Sequence, residues 1–125
     1  EAVLHALNQV ARSLSSKVHT IDSRQRLMLH IAAVFASNYT NLMYIISNDI
    51  LAGSNLPADA LQPLILETAR KAASGNPKAM QTGPARRNDT LTLEKHLTAL
   101  ASIPEYAELY KLLASIITKK FNKPI

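Results

Sequence analysis

The sequence predicts an all-α fold, a multi-helix bundle built around one long central helix at about residues 23–52. Apolar residues recur at three- and four-residue steps in five segments, which is the spacing of one helix face. No segment shows the pattern of a convincing strand. The central segment runs from Asp22 to Gly53 without proline or glycine, so it predicts about 28 residues of helix, roughly 42 Å in length.

The first helix is predicted from the first residues onward, because Val3, Leu7 and Leu14 fall on one face. The chain begins at Glu1 rather than at a methionine, within this helical pattern, so we expect it to be a fragment of a longer protein. Residues 17–21 alternate between apolar and polar side chains and predict either a loop or one extended stretch.

The long helix has a clear start signal and an unusually apolar surface. Asp22 or Ser23 can cap it, because a short side-chain oxygen accepts a hydrogen bond from an unpaired amide of the first turn. The helix is apolar nearly all round, and a chain of 125 residues can hardly cover it. We therefore expect a partner domain or a second copy of the chain to cover it. Its longest unbroken apolar run, residues 31–36, is too short to span a membrane, which takes about 20 residues.

Turn and helix-start residues set the remaining boundaries. Gly53 closes the long helix. Pro63 interrupts the third helical segment, which therefore predicts a kink or two pieces. Residues 74–88 hold two glycines and two prolines and predict turns. The last two helices begin at residues suited to a first turn, namely Asp89 or Thr90 for the fourth and Pro104 for the fifth.

Composition excludes several kinds of site. The chain has no cysteine, which excludes disulfides, thiolate catalysis and cysteine-ligated metals. Its 3 glycines are scattered, whereas a dinucleotide fingerprint or a phosphate-binding loop needs clustered glycines. The 4 histidines lack metal-ligand spacing, so we expect no metal site. The net charge of +5 permits binding to an anion, or to nucleic acid as a third hypothesis, but the aromatic residues are not interleaved with the basic ones.

Polar side chains form a narrow stripe along the long helix. At 100° per residue, four of these side chains lie within about 20° of one line: His30, Ser37, Asn41 and Asn48. A fifth, Asn38, lies about 80° away from that line. Asparagine is a poor helix former, so this pattern needs an explanation. One interpretation is a row of hydrogen-bonding groups that faces a ligand, with His30 as an acid or base near neutral pH. The alternative is a solvent-facing stripe, or polar side chains satisfied by neighbouring backbone.

A second group of candidate residues lies at positions 81–89, just before the fourth helix. It combines an amide, a hydroxyl, a tight turn and two guanidinium groups, and the candidate binding residues are Gln81, Thr82, Arg86 and Arg87. Arginine suits carboxylates and phosphates, because its planar group donates two parallel hydrogen bonds. The alternative is a surface loop in which the arginines are solvated and Asp89 caps the helix.

Residues 30–41 (HIAAVFASNYTN) and 81–89 (QTGPARRND) together resemble a known family. It is the helical C-terminal domain, formally of unknown function, that follows a Rossmann domain in NAD(P)-dependent oxidoreductases. Its wider relatives have C-terminal domains like that of 6-phosphogluconate dehydrogenase. The resemblance covers nearly the whole chain. It implies an N-terminal dinucleotide-binding domain in the full-length protein, which would bind NADP or NAD, with no cofactor bound by this chain alone.

The resemblance also implies roles for the candidate residues. His30, Asn38 and Asn41 would face the nicotinamide cleft as catalytic candidates, with His30 as a proton donor and the asparagines as hydrogen-bonding groups. The loop from Gln81 to Arg87 would border the cleft, and Arg86 or Arg87 would clamp an anion. Many relatives with an assigned activity carry a lysine four residues before the asparagine. Val34 occupies that position here, so a lysine-based mechanism is not expected to carry over.

These observations together predict that residues 1–125 form a single substrate and dimerisation domain of a cytoplasmic NAD(P)-dependent oxidoreductase. The domain would close the cleft and mediate dimerisation. Its expected partners are an N-terminal Rossmann domain of the same protein, a second copy of the chain and a small-molecule substrate, with no nucleic acid and no membrane. The alternative is a non-catalytic helical interaction or dimerisation module, in which the polar stripe is a seam between two chains.

Overall fold

The computed structural model describes residues 1–122, and over that range it contains helices, turns and loops but no strand. This confirms the all-α prediction, and all five predicted helical regions are present. The chain divides into two compact units, Glu1–Ile45 and Ile46–Ile125. The elements in chain order are α1 (Ala2–Leu14), α2 (Ser23–Ala33), a π-helical segment (Val34–Tyr39), α3 (Thr40–Gly53), a 3₁₀ turn (Ala58–Leu61), α4 (Gln62–Ser74), α5 (Thr90–Ala99) and α6 (Pro104–Phe121).

The long helix begins at the predicted cap. The Asp22 carboxylate accepts a hydrogen bond from the backbone N–H of Gln25 at 2.7 Å, and the Gln25 side chain accepts one from the Asp22 N–H at 2.9 Å. This reciprocal pair satisfies two amides that would otherwise lack partners at the helix start. Residues 17–21 form a loop, which was one of the two predicted alternatives.

The helix then continues to Gly53, but it is not a uniform α-helix. At Val34–Tyr39 it widens into a π-helical segment, a form of helix whose N–H groups bond carbonyls five residues earlier instead of four. The Thr40 hydroxyl also donates to the carbonyl five residues before it, on Phe35, at 3.0 Å. One turn therefore holds about one extra residue, so later side chains are rotated by roughly 100° from their α-helical places.

The end of the long helix corrects one detail of the prediction. Gly53 is the last residue of α3, but the left-handed residue of the turn is Asn55, with a φ of 55°. The Leu56 N–H donates to the Leu51 carbonyl at 2.9 Å, and the Asn55 N–H donates to the Ala52 carbonyl at 3.1 Å. These two bonds are those of a Schellman motif, which places its left-handed residue two positions after Gly53 here.

The helices of the second unit begin as the sequence predicts. Pro63 divides the third segment into the 3₁₀ turn and α4, and it lies in the first turn of α4, where its missing N–H leaves no hydrogen bond unmade. Asp89 caps α5, because its carboxylate accepts hydrogen bonds from the Thr92 N–H at 3.1 Å and the Thr92 hydroxyl at 2.8 Å. Pro104 is the first residue of α6.

Much of the apolar surface stays uncovered. In residues 1–122 the buried hydrophobic residues are Leu51, Ala85 and Ala107, all in the second unit. On the long helix, Leu29 keeps 61% of its surface exposed and Phe35 keeps 65%. This confirms the expectation that the chain does not cover its long helix by itself.

Candidate functional site

The three candidate catalytic residues of the long helix lie in three different segments. His30 is in α2, Asn38 is in the π-helical segment, and Asn41 is in the first turn of α3. All three are exposed, and within residues 1–122 none of their side chains has a hydrogen-bond partner. Their polar groups are therefore available to a ligand or to another chain.

The π-helical segment separates His30 from Asn41. With one extra residue in the intervening turn, Asn41 lies about 80° from His30 around the helix, instead of the 20° of a uniform α-helix. The prediction that these two residues share one line is therefore wrong. They are also 11 positions apart, which is roughly 16 Å along the axis. A single small group cannot contact both residues.

The loop of residues 81–89 lies against the C-terminal part of α6. The carbonyl of the buried Ala85 accepts hydrogen bonds from the Asn122 side chain at 3.0 Å and the Thr118 hydroxyl at 3.4 Å. Gly83 has a φ of 102°, a backbone conformation that side chains with a Cβ rarely adopt. The loop conformation therefore depends on glycine at this position and on two polar residues near the end of α6.

The two candidate arginines have different surroundings. The Arg86 guanidinium lies 5.0 Å from the centre of the Phe121 ring, in a cation–π arrangement, and the residue is half-buried. Arg87 is exposed, and its guanidinium lies 3.9 Å from the Asp89 carboxylate. The pKa of that carboxyl group is lowered mainly by its hydrogen bonds with Thr92, with a smaller effect from Arg87. Within residues 1–122, Arg86 has no acidic partner.

Two cavities lie beside this loop, and the other two candidates, Thr82 and Gln81, line one cavity each. Thr82 lines a cavity of about 210 Å³, which we call the Thr82 cavity, together with seven residues of the loop and α6: Gly83, Pro84, Ala85, Tyr110, Leu113, Ala114 and Ile117. Gln81 lines a wider one of about 500 Å³, beside Lys78 and Lys120. The Gln81 side chain also donates a hydrogen bond to the Thr82 carbonyl at 3.1 Å.

A pair of residues that sequence reasoning missed lies beside the Thr82 cavity. The Nδ1 atom of His96 and the Tyr110 hydroxyl are 2.7 Å apart, and their rings meet edge to face at 5.7 Å between centres. Burial raises the pKa of the Tyr110 hydroxyl above its ordinary value, which already lies well above neutral pH. A signal was present in the sequence, since His96 follows Leu93 by three residues and precedes Leu100 by four, on the apolar face of α5.

Other kinds of site find no support in the part of the chain that the structure describes. Residues 1–122 contain no group of three histidine or acidic side chains that could hold a metal ion. None of the helices in that range has the length and apolar character that a membrane span requires.

Comparisons with known proteins identify the family. A profile for a domain of unknown function, DUF2520, matches residues 1–117, and the chain belongs to this family. The crystal structure of a protein described as a putative NADP oxidoreductase, from Bacteroides fragilis, is similar with a TM-score of 0.81 and 46% sequence identity. The match covers 89% of this chain and 43% of that one, so this chain spans less than half of its relative's length. No curated protein matches the chain.

Proposed function

We propose that this DUF2520 domain is the C-terminal helical domain of an NAD(P)-dependent oxidoreductase. In this proposal it closes the cleft around nicotinamide and substrate and joins two copies of the protein. The similarity to a protein described as a putative NADP oxidoreductase, at 46% identity over 89% of the chain, is the observation that carries the proposal. More than half of that relative lies outside the match, which leaves room for a dinucleotide-binding domain of ordinary size.

The chain's own residues are suited to the substrate rather than to the cofactor's phosphates. Its 3 glycines are scattered, and no glycine-rich turn is available to cradle a pyrophosphate. A bound nicotinamide would supply the hydride chemistry, and the description of the relative favours NADP over NAD. The part left to this chain is to bind and orient the substrate and to exclude water.

We assign the long-helix candidates to the cleft. The Asn38 and Asn41 amides each offer donors and an acceptor, and both are exposed without an intramolecular partner in residues 1–122. Asn38 lies in a π-helical segment, a feature that is frequent at functional sites. His30 is a candidate proton donor, because an imidazole placed within hydrogen-bond reach can transfer a proton to a reacting group. Since it is turned away from Asn41, it acts on a different part of the bound molecules.

Of the two arginines, we assign the anion clamp to Arg86. Arg87 already has an acidic neighbour in Asp89, whereas Arg86 has none in the described chain. Stacking on Phe121 also holds the Arg86 guanidinium in place, so less conformational entropy is lost when it binds a carboxylate or phosphate. The edge of its planar group would donate the hydrogen bonds.

The experiment uses the full-length protein that carries this chain. We expect it to bind NADPH and to oxidise it in the presence of a suitable carbonyl or imine compound. Asn38→Ala and Asn41→Ala should each lower kcat by at least tenfold while the unfolding temperature changes little, because both side chains are exposed. Asn8→Ala in α1 is the matched control, since that amide already donates to the Leu4 carbonyl. Failure to bind NADPH, or unchanged kinetics in both variants, would contradict the proposal.

The exposed apolar surface of the long helix favours a second candidate, a dimerisation module without a catalytic role. In that case His30 and Asn41 would lie in a polar seam between two chains. A dimer that buries both side chains, in a protein that neither binds nor oxidises NADPH, would support this alternative.

A further inference from the structure

The wider of the two cavities beside the loop of residues 81–89 has positively charged residues in its lining. We call it the Lys78 cavity, and its volume is about 500 Å³. Lys78 comes from the turn that follows α4, whereas Lys120 and Phe121 come from the last turn of α6. Cavities of roughly 300 to 1,000 Å³ are the usual size of small-molecule sites. The Lys78 cavity is therefore large enough for a small ligand.

A third positive charge lies next to this cavity. The Arg86 guanidinium is 5.0 Å from the centre of the Phe121 ring, and Phe121 is one of the lining residues. The three cations thus belong to a turn, a loop and a helix that are distant in the sequence. The dipole of α6 favours a cation such as Lys120 near its C-terminal end, but it does not account for Lys78 and Arg86 at the same place.

These charges have no counter-charge in the part of the chain that the structure describes. None of the residues that line the cavity is acidic. Within residues 1–122, none of the three cations forms an ion pair, whereas the Lys111 ammonium lies 2.7 Å from the Glu108 carboxylate. Like charges near one another repel, and a bound anion would remove this repulsion.

The segments that carry the cations are held by contacts of their own. The Asn76 side chain accepts a hydrogen bond from the Lys78 N–H at 3.0 Å. The Met80 side chain packs against Gly75 at the end of α4, where it fills the space that a Cβ atom would need. The loop that carries Arg86 is held against α6 through the Ala85 carbonyl. The backbone that presents the charges is therefore ordered without a ligand, which lowers the entropy lost on binding.

The number of cations favours a phosphate over a carboxylate. One arginine satisfies a carboxylate through two parallel hydrogen bonds. A phosphate monoester carries about −1.5 to −2 charges at pH 7, so it can use more than one cation, and lysine binds phosphate as a point charge that needs no fixed geometry. Lys78 and Lys120 are exposed, so a phosphate bound beside them keeps part of its water and avoids the cost of complete burial.

We propose that the Lys78 cavity binds the phosphate group of a phosphorylated substrate, whose charge is neutralised by Lys78, Lys120 and Arg86. The apolar part of the lining, at Ile116 and Ile117, is available to the carbon body of the same molecule. This inference deepens the proposed oxidoreductase function, on which it rests, by narrowing the anion that Arg86 binds to a phosphate monoester. It also assigns a binding role to two lysines outside the earlier candidates.

The test measures binding of phenyl phosphate and of benzoate to the full-length protein by calorimetry, at an ionic strength of about 0.15 M, where exposed charges more than about 8 Å apart are largely screened. Phenyl phosphate should bind at least about fivefold more tightly than benzoate, because it carries the larger charge. Lys78→Gln and Lys120→Gln should each weaken phenyl phosphate binding about two- to fivefold, the effect of one exposed charge.

The control variant is Lys111→Gln, which changes the net charge equally. Lys111 is nine positions before Lys120 in α6, roughly 14 Å along the helix axis, so phenyl phosphate binding should be unchanged. Thermal unfolding without ligand provides a second measurement. Lys78→Gln should not lower the unfolding temperature, since it removes one of several like charges. A lower unfolding temperature would show that Lys78 has a structural partner and would overturn its assignment.

A titration in the presence of saturating NADPH identifies the source of the phosphate, because NADPH carries a phosphate monoester of its own. A substrate site should bind phenyl phosphate equally well when NADPH is bound. Displacement of phenyl phosphate by NADPH would assign the cavity to the cofactor and overturn the substrate assignment.

The remaining outcomes separate this inference from the proposed function. If phenyl phosphate does not bind, binds no more tightly than benzoate, or binds equally well to both lysine variants, the inference is wrong. NADPH binding by the same protein would then leave the oxidoreductase proposal intact. If phenyl phosphate binds as expected but NADPH does not bind at all, the cavity is a phosphate site, and its assignment to a redox substrate is overturned together with the oxidoreductase proposal.

Discussion

The Tyr106 hydroxyl, in the first turn of α6, donates a hydrogen bond to the Asp49 carboxylate near the end of α3 at a distance of 2.5 Å. The two residues are 57 positions apart, so the bond joins two helices of the second unit. It also raises the pKa of Tyr106, with smaller contributions from burial and from the charges of Asp49 and Glu105. The bond is therefore a tertiary contact whose strength depends on the Tyr106 proton.

Tyr106→Phe should lower the unfolding temperature of the full-length protein at pH 7, because Asp49 loses its donor. The folded-state pKa of Tyr106 is raised above the unfolded value of about 10. The stabilisation is therefore fully present below about pH 10 and is lost as the pH rises through the raised pKa. Thermal unfolding from pH 7 to 11 should show a constant difference between wild type and Tyr106→Phe up to about pH 10, and then a decreasing one. A difference that stays constant to pH 11 would contradict this account.

A second prediction concerns the carboxylate that caps α5. The pKa of Asp89 is lowered by its hydrogen bonds with the Thr92 side chain and backbone. Because the folded-state pKa lies below the unfolded value of about 3.9, the contribution is present above that pH and is lost as the pH falls through the lowered pKa. Asp89→Ala should speed amide hydrogen exchange in α5 at neutral pH. Asp89→Asn, which keeps a capping oxygen, should speed this exchange less. In acid, where the wild-type carboxyl group is also uncharged, the exchange rates of Asp89→Asn should match those of wild type.

The third prediction compares two glycines with equal space around them. A Cβ atom added at Gly83 or at Gly53 would meet no atom within 4 Å, but only Gly83 has a positive φ, of 102°. Gly83→Ala should therefore lower the free energy of unfolding by at least about 1 kcal/mol through backbone strain alone. Gly53→Ala should be neutral or stabilise the protein by up to about 1 kcal/mol, because alanine favours the helix. Denaturant unfolding of the two variants measures the contrast, and equal effects would refute the role of φ.

The helix boundaries were predictable because they depend on nearby residues. Asp22, Asp89 and Pro104 mark helix starts through hydrogen bonds or backbone geometry within one turn, and the structure places the starts there. Asn55 replaced Gly53 as the left-handed residue, since asparagine also tolerates that conformation. The residue types alone therefore indicate only weakly which of Gly53 and Asn55 takes the left-handed conformation.

Two features of the site depended on more than local pattern. No residue type in Val34–Tyr39 distinguishes a π-helical segment from an α-helix, and a wheel drawn at one fixed angle cannot detect a change in hydrogen-bond register. Its presence altered the relation between His30 and Asn41. His96 and Tyr110 are 14 positions apart in the sequence and belong to two different helices, α5 and α6. Which of their side chains meet depends on how the two helices pack, and a local sequence pattern does not contain that information.

The final prediction concerns what covers the long helix. Ile31 lies in α2 with 41% of its surface exposed, among apolar neighbours that are also exposed, such as Leu27 and Phe35. If a second copy covers this surface, a two-fold interface would contain the substitution twice, so Ile31→Glu should weaken the dimer of the full-length protein at least tenfold. Sedimentation equilibrium measures the dissociation constant. Lys95→Gln in α5 makes the same change of one unit of charge and should leave self-association intact. A dimer of unchanged affinity in Ile31→Glu would exclude a homodimer built on this face of the helix.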